Sequence, residues 1–231
     1  MSPRRSILLC GATGLVGGEC LRLLAADPAF GRVVILTRRP LPKELLEGVD
    51  GSRVEAHVVD FDDLPAHAEL FRVHQVVCAL GTTIKKAGSK ERFRQVDQGI
   101  PLAVARQGVE EGAHHYLLVS AIGADPESRI FYSRVKGQLE EDLSNLPFRS
   151  LTLVRPSLLL GERSEFRLGE EIMKRIGFLV PSTYKPVEAR DVAAALLLAA
   201  RDDAPGRRTI ESREIPALAE AYFAATAPWP P

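Results

Sequence analysis

Hydrophobic residues along this chain fall into short, fully apolar runs separated by amphipathic stretches. The first run, Ile7-Leu8-Leu9-Cys10, has no polar member, as a parallel strand covered on both faces requires. It breaks at Gly11 and resumes after Gly14 with Leu15, Val16, Leu21, Leu23 and Leu24, a spacing that fits one face of a helix. Similar runs predict further strands over 32–37, 54–59, 73–80, 116–120 and 148–154, the second of β-branched character. A long helix is expected from about residue 89 to 112, with Pro101 kinking it or ending its first part. An amphipathic helix begins near Arg129. Beyond the sixth strand the pattern gives a helix near 164–176, a loop with Pro181 and Pro186, and a helix over about 188–200. A short strand at 209–211, a helix near 217–225 and a frayed tail at 227–231 complete it. Strands alternating with helices indicate an α/β fold. Neither an internal repeat nor a long linker divides the 231 residues, so one domain is expected, with 157–226 forming a small substrate-side subregion.

The break after the first strand reads Gly11-Ala-Thr-Gly14-Leu-Val-Gly17. Gly11 permits a tight turn, Gly14 lets a ligand approach the backbone, and Gly17 lets helix pack on strand. The new helix offers unpaired N–H groups and the positive end of its dipole, which suit a pyrophosphate. Gly11, Thr13, Gly14, Leu15, Val16 and Gly17 are therefore the candidate cradle. The Gly-x-x-Gly-x-x-Gly spacing differs from the commoner Gly-x-Gly-x-x-Gly, and a merely structural turn is the plain alternative; the strand-to-helix position favours a nucleotide site.

Later strand ends extend this reading. The second ends in Thr37-Arg38-Arg39-Pro40, about 20 residues past the turn, where an acid would hold an adenosine ribose. Two arginines stand there instead. Guanidinium forks match a phosphate, so Arg38 and Arg39 point to NADP rather than NAD, two solvated arginines being the alternative. The third strand closes with Asp60-Phe61-Asp62, where Asp60 could accept from an adenine amino group or simply lead into a helix cap. After the fourth, Leu80-Gly81-Thr82 would pass beneath the cofactor ribose and nicotinamide.

The fifth strand delivers Ser120 to the carboxyl end of the sheet, where open α/β sheets bind ligands. Tyr132 and Lys136 follow, four apart and so on one helical face. A free phenol titrates near pH 10 and is a poor acid–base at neutrality; an adjacent ammonium favours its phenolate. Ser120, Tyr132 and Lys136 together suit hydride transfer at a carbon, with Tyr132 moving the oxygen's proton and Ser120 orienting the substrate.

Thirty basic and thirty acidic residues cancel, so no global field argues for nucleic acid or an anionic membrane. The longest apolar run, 192–200, is too short to span a bilayer. Lys85, Lys86, Lys90, Arg92 and Arg94 crowd one segment, read as a solvated helix entrance or as a lid over an anionic substrate. The three cysteines, Cys10, Cys20 and Cys78, sit in apolar settings, which suggests small core residues and a reduced cytosol. The five histidines lack metal-ligand spacing, so no metal is expected, and His114-His115 should point to opposite faces of a strand.

Taken together, CGATGLVGG, ILTRRP, CALGTTIKKAG, LVSAIGAD, FYSRVKG and VRPSLLLGERSEFRLGE resemble the short-chain dehydrogenase/reductase superfamily, and within it the atypical, Tat-interacting-protein-like branch. The resemblance covers most of 7–171. It implies a Rossmann-type, doubly wound, mainly parallel sheet with helices on both faces. It implies NADP on the glycine turn and Arg38, Lys136 bridging the nicotinamide ribose, and backbone after Pro156 facing the carboxamide. The family's helix-borne asparagine falls near Val96-Asp97-Gln98, where this chain has Asp97, leaving the proton relay open. The region after Pro156 is short for a sugar-nucleotide lobe, implying a smaller substrate or none. The resemblance also allows a homodimer, and a cofactor-binding regulator that senses NADPH as the alternative to an enzyme.

Overall fold

The computed structural model of the chain describes residues 5–49, 51–160 and 185–226. The first apolar run is β1 (Arg5–Cys10), buried from Ile7 onward. After the glycine turn, α1 (Leu15–Ala26) leads back to β2 (Phe30–Thr37), and a connection leads on to β3 (Val54–Val58). The chain then crosses to β4 (Gln75–Cys78) on the other side of β1. Two short helices, α2 (Ile84–Ala87) and α3 (Lys90–Arg94), precede a π-helical turn, Gln95–Gly99, and α4 (Ile100–Glu110). Next come β5 (His115–Val119), α5 (Phe131–Ser144) and β6 (Ser150–Arg155). Short β7 (Leu159–Leu160) and β8 (Val187–Glu188) pair with each other. They are followed by α6 (Ala189–Asp202), β9 (Gly206–Glu211) and α7 (Ile215–Thr226). The helix expected at 164–176, Pro181 and the tail at 227–231 lie outside the described residues.

The main sheet runs β3-β2-β1-β4-β5-β6-β9, with every neighbouring pair parallel. The order reverses between β1 and β4, so their carboxyl ends flank the crevice where such sheets take ligands. Alternation along β1 explains the two cores. Ile7 and Leu9 join Leu21 of α1 and Leu196 of α6 on one face, whereas Leu8 and Cys10 join Val104 of α4 and Leu139 of α5 on the other. Of the stretch expected to form a substrate-side subregion, β9 extends the main sheet and α6 packs in the core with α1. Buried Asp27, just past α1, receives Arg201 of α6 (3.0 Å) and the Tyr222 hydroxyl of α7 (3.2 Å).

Pro101 does not end the long helix. It has no N–H for the Asp97 carbonyl, and the helical ladder passes it by widening one turn earlier, where the Ile100 N–H reaches back to Gln95. The Pro101 carbonyl accepts from the Tyr116 hydroxyl at 2.8 Å.

The adjacent histidines also differ from expectation. Instead of diverging, both meet Asp203, which sits in a left-handed conformation at the C-cap of α6: His114 Nε2 at 2.9 Å and His115 Nδ1 at 3.0 Å. His114 precedes β5, so strand alternation does not bind it. The Asp203 carboxylate can only accept, which makes Nδ1 the donor in a neutral ring, and Nε2 then accepts from the Thr152 hydroxyl at 2.9 Å. Burial outweighs the Asp203 charge and lowers the His115 pKa to about 4. Unfolded histidine titrates near 6.5, so stability is full above that value and is lost as pH falls towards 4. The loss should be on the order of 3 kcal/mol. Urea midpoints at pH 7 and 4.5 should show it, with a smaller difference in His115→Gln; an unchanged difference would remove His115 as the cause.

Candidate functional site

The crevice at the switch point begins at the glycine turn. Gly14 N–H closes the turn on the Gly11 carbonyl at 2.8 Å, and Gly18 N–H bonds Gly14 at 2.9 Å. A Cβ on Gly17 would overlap the Gly11 carbonyl oxygen, so only glycine lets α1 start this close to the end of β1. The helix has no side-chain cap at Gly14 and no acid in its first turn, leaving its positive end suited to an anion. Leu15 and Val16 turn their side chains into the core; what they offer the crevice is main chain.

Three adjoining cavities of about 560, 330 and 400 Å³ share Arg38 and Phe61 as walls. The largest lies between Gly11–Thr13 and the end of β2 and includes Arg39 and Leu80. The second runs from Thr13 and Gly14 past Leu80 to Gly81 and Thr82, with Arg92 opposite. The third is lined by Asp60, Val96 and Ile100. Their shape fits the group that the sequence implies: a phosphate-sized approach at the turn, cations at the β2 end, and an apolar wall beyond. Arg92 belongs to the basic segment expected as a solvated helix entrance or a lid over an anionic substrate, and it lines this second cavity. Its place on the cavity wall comes from a Ser89 cap, whose hydroxyl accepts the Arg92 N–H at 3.1 Å and starts α3 there.

At the far end, α5 places Tyr132 at the surface, 36% exposed, with its ring 5.7 Å from buried Phe93. One turn on, Lys136 is buried, and its Nζ lies 2.8 Å from Asp97 Oδ1. Burial alone would pull the ammonium down. The adjacent Asp97 carboxylate, by charge and hydrogen bond, is the chief influence against it, and the Lys136 pKa lies above that of ordinary lysine. The other Asp97 oxygen accepts the Thr82 N–H at 2.9 Å. Asp97 and Lys136 are thus brought together, and Gly81 lies over them.

Ser120 departs from its expected place. It is buried, and its hydroxyl donates to Glu140 Oε1 at 2.5 Å. Glu140 stands on α5 two helical turns beyond Tyr132. The same carboxylate holds Arg155 of β6 through two bonds, at 3.0 and 2.6 Å, and Arg155 continues to Glu211 of β9 at 3.2 Å. The hydroxyl expected to orient a substrate is therefore part of a network tying α5 to the sheet. The Pro156 carbonyl accepts from Ile122 N–H at 2.9 Å, and the next N–H, of Ser157, goes to the Ser212 hydroxyl at 3.1 Å. The backbone expected to face a carboxamide is already bonded within the protein.

The parallel sheet with a crevice at its switch point has the fold of the short-chain dehydrogenases/reductases. No family model matches the chain. Solved structures of this class do superpose: an oxidoreductase of the short-chain dehydrogenase/reductase family from Burkholderia thailandensis has a TM-score of 0.73 at 19% identity, covering 94% of each chain. The Bordetella bronchiseptica enzyme WbmG, in complex with NAD, has a TM-score of 0.69 at 14% identity, covering 98% of this chain and 80% of its own. Sequence relatives are more specific. Protein FMP52, mitochondrial, of Candida albicans is 34% identical over 198 residues, 81% of this chain and 84% of its own length. Protein HTATIP2 of Rattus norvegicus is 34% identical over 181 residues, 78% and 73% respectively. The chain belongs to the HTATIP2/FMP52 family, an atypical branch of the short-chain dehydrogenases/reductases.

The relatives' names overturn the expectation of a cytosolic protein, because the FMP52 proteins are designated mitochondrial. Cys10, Cys20 and Cys78 are indeed free and buried. Free thiols separate reducing from oxidising compartments and carry no information about which reducing compartment holds the protein.

A second close approach fixes α5. A Cβ on Gly137 would fall within the Asp125–Pro126 backbone, so Gly137→Ala should push the helix and its tyrosine away from that loop. The expected cost is about 1–3 kcal/mol, read as a lowered thermal midpoint; an unchanged midpoint would show that the loop yields freely.

Proposed function

We propose that this protein is an NADP(H)-binding oxidoreductase of short-chain dehydrogenase type, interconverting a small carbonyl compound and its alcohol. The observation that carries the reading is the continuous crevice from Arg38, past the uncapped start of α1, to Gly81 above the buried Lys136–Asp97 pair. The glycine turn would hold the pyrophosphate by main-chain N–H groups, and Arg38 and Arg39 would meet a 2′-phosphate. Asp60 and Phe61 would border the adenine. A bound nicotinamide supplies or takes the hydride at the substrate carbon. Tyr132 gives its phenolic proton to the carbonyl oxygen during reduction, or takes the proton from the alcohol in the reverse direction. Lys136 stabilises the phenolate that remains, and solvent reprotonates it at this half-exposed position.

A second reading rests on Ser120. The Ser120 hydroxyl gives its proton to Glu140, so in this arrangement it is not a donor to a substrate oxygen. A protein that binds the dinucleotide and signals its presence to another protein would need the crevice but not that donor.

Titration with NADPH and NADH, followed by a carbonyl panel, separates the two. Selective NADPH binding with cofactor oxidation supports the oxidoreductase; binding without turnover supports the sensor, and absence of binding removes both. Arg38→Asp should weaken NADPH binding by about 1–3 kcal/mol and NADH binding far less. Equal losses would remove the 2′-phosphate role. Tyr132→Phe should abolish turnover with cofactor affinity nearly intact; retained turnover would exclude Tyr132 as the acid–base.

A further inference from the structure

Behind Gly81 of the crevice wall lies a lysine ammonium, Lys136, with 4% of its side chain exposed. An ammonium withdrawn from water without a counter-charge loses its proton readily, its pKa falling by up to several units. Lys136 avoids this because Asp97, 1% exposed, lies 2.8 Å away. Asp97 is itself fixed twice. The widened turn ahead of Pro101 carries its backbone, and Thr82 N–H holds its second oxygen at 2.9 Å. Thr82 and Gly81 belong to the loop flooring the crevice, and a Cβ on Gly81 would lie 3.5 Å from Asp97 Oδ1 and 3.9 Å from Lys136 Nζ.

We propose that Asp97 is a positioning residue with two separable roles: its charge keeps Lys136 an ammonium one helical turn from Tyr132, and its hydrogen bond to Thr82 ties that ammonium to the cofactor-facing loop. The proposal rests on the oxidoreductase reading for its consequence in catalysis, but not for the lysine's charge. The titratable groups that face Lys136 are Asp97 from the π turn, Tyr132 from α5 and Cys78 from β4. Burial pushes the Cys78 thiol up, so it is uncharged at neutrality and cannot replace Asp97 as counter-ion.

Asp97→Asn separates the roles, since the amide oxygen still accepts from Thr82 while the charge is gone; Asp97→Ala removes both. Lys136 Nζ is followed directly by ¹⁵N NMR against pH, assigned with Lys136→Met. In the unaltered protein the ammonium should persist above about pH 10, and in Asp97→Asn it should deprotonate at least one unit lower, a tenfold change in its protonation equilibrium. With a turned-over carbonyl, Asp97→Asn should approach the unaltered protein's rate near pH 6 and fall behind it as pH rises through the lowered lysine titration, by about tenfold one unit above that point. Its NADPH affinity near pH 6 should stay close to normal, whereas Asp97→Ala should lose affinity at every pH.

Deprotonation of Lys136 below pH 9 in the unaltered protein would overturn the proposal without any variant. So would a uniform loss of rate in Asp97→Asn with an unshifted lysine, which is the mark of a merely structural residue. If the protein turns nothing over, the oxidoreductase reading fails while the lysine titration still decides the role of Asp97.

Discussion

A parallel sheet covered by helices on both faces has no free surface except its edges, and that constraint organises this molecule. Side chains along β1 alternate between two closed cores, so none of them can meet a ligand. Chemistry is confined to the carboxyl ends of the strands, and to the one place where neighbouring connections leave in opposite directions. The cavity walls gather there: the turn after β1, the arginines after β2, Asp60 after β3, and the loop after β4.

Close packing makes that edge usable. At Gly17 the first helix comes so near the strand end that its N–H groups open directly into the crevice, and at Gly137 the helix bearing Tyr132 and Lys136 comes equally near its own preceding loop. These two approaches set where the start of α1 and the start of α5 sit against the sheet. A charged network supports the second. Glu140 takes Ser120 and Arg155, and so clamps α5 to β5 and β6 from a point outside the crevice.

What the sequence reveals follows from how local each determinant is. The alternation of strands and helices, the glycine turn and the Tyr132–Lys136 spacing are set by neighbours within a turn or two, and the structure places them as their periodicity requires. Features fixed by distant partners stay hidden. Ser120 looks like a substrate ligand until Glu140, twenty positions on, claims its hydroxyl. Asp97 looks like a poor substitute for asparagine until the π turn aims it at Lys136. His114 and His115 appear divergent because strand alternation says nothing about a carboxylate in a left-handed cap at Asp203. Compartment is hidden for another reason: a buried thiol has the same surroundings in any reducing space.

The bond between Arg201 and Asp27 joins residues 174 positions apart, and Tyr222 reaches the same carboxylate across 195. On the ribosome, the first helix therefore emerges long before the segments that cover it. Its apolar side, including Leu21 and Leu24, must wait until α6 has been synthesised, because that helix supplies Leu196, Leu197 and Val192 to the shared core. Closing so long a loop is entropically slow. During synthesis the nucleotide turn is thus made early and assembled late, and the growing chain carries an exposed hydrophobic surface for most of its length, the kind of surface that general chaperones recognise.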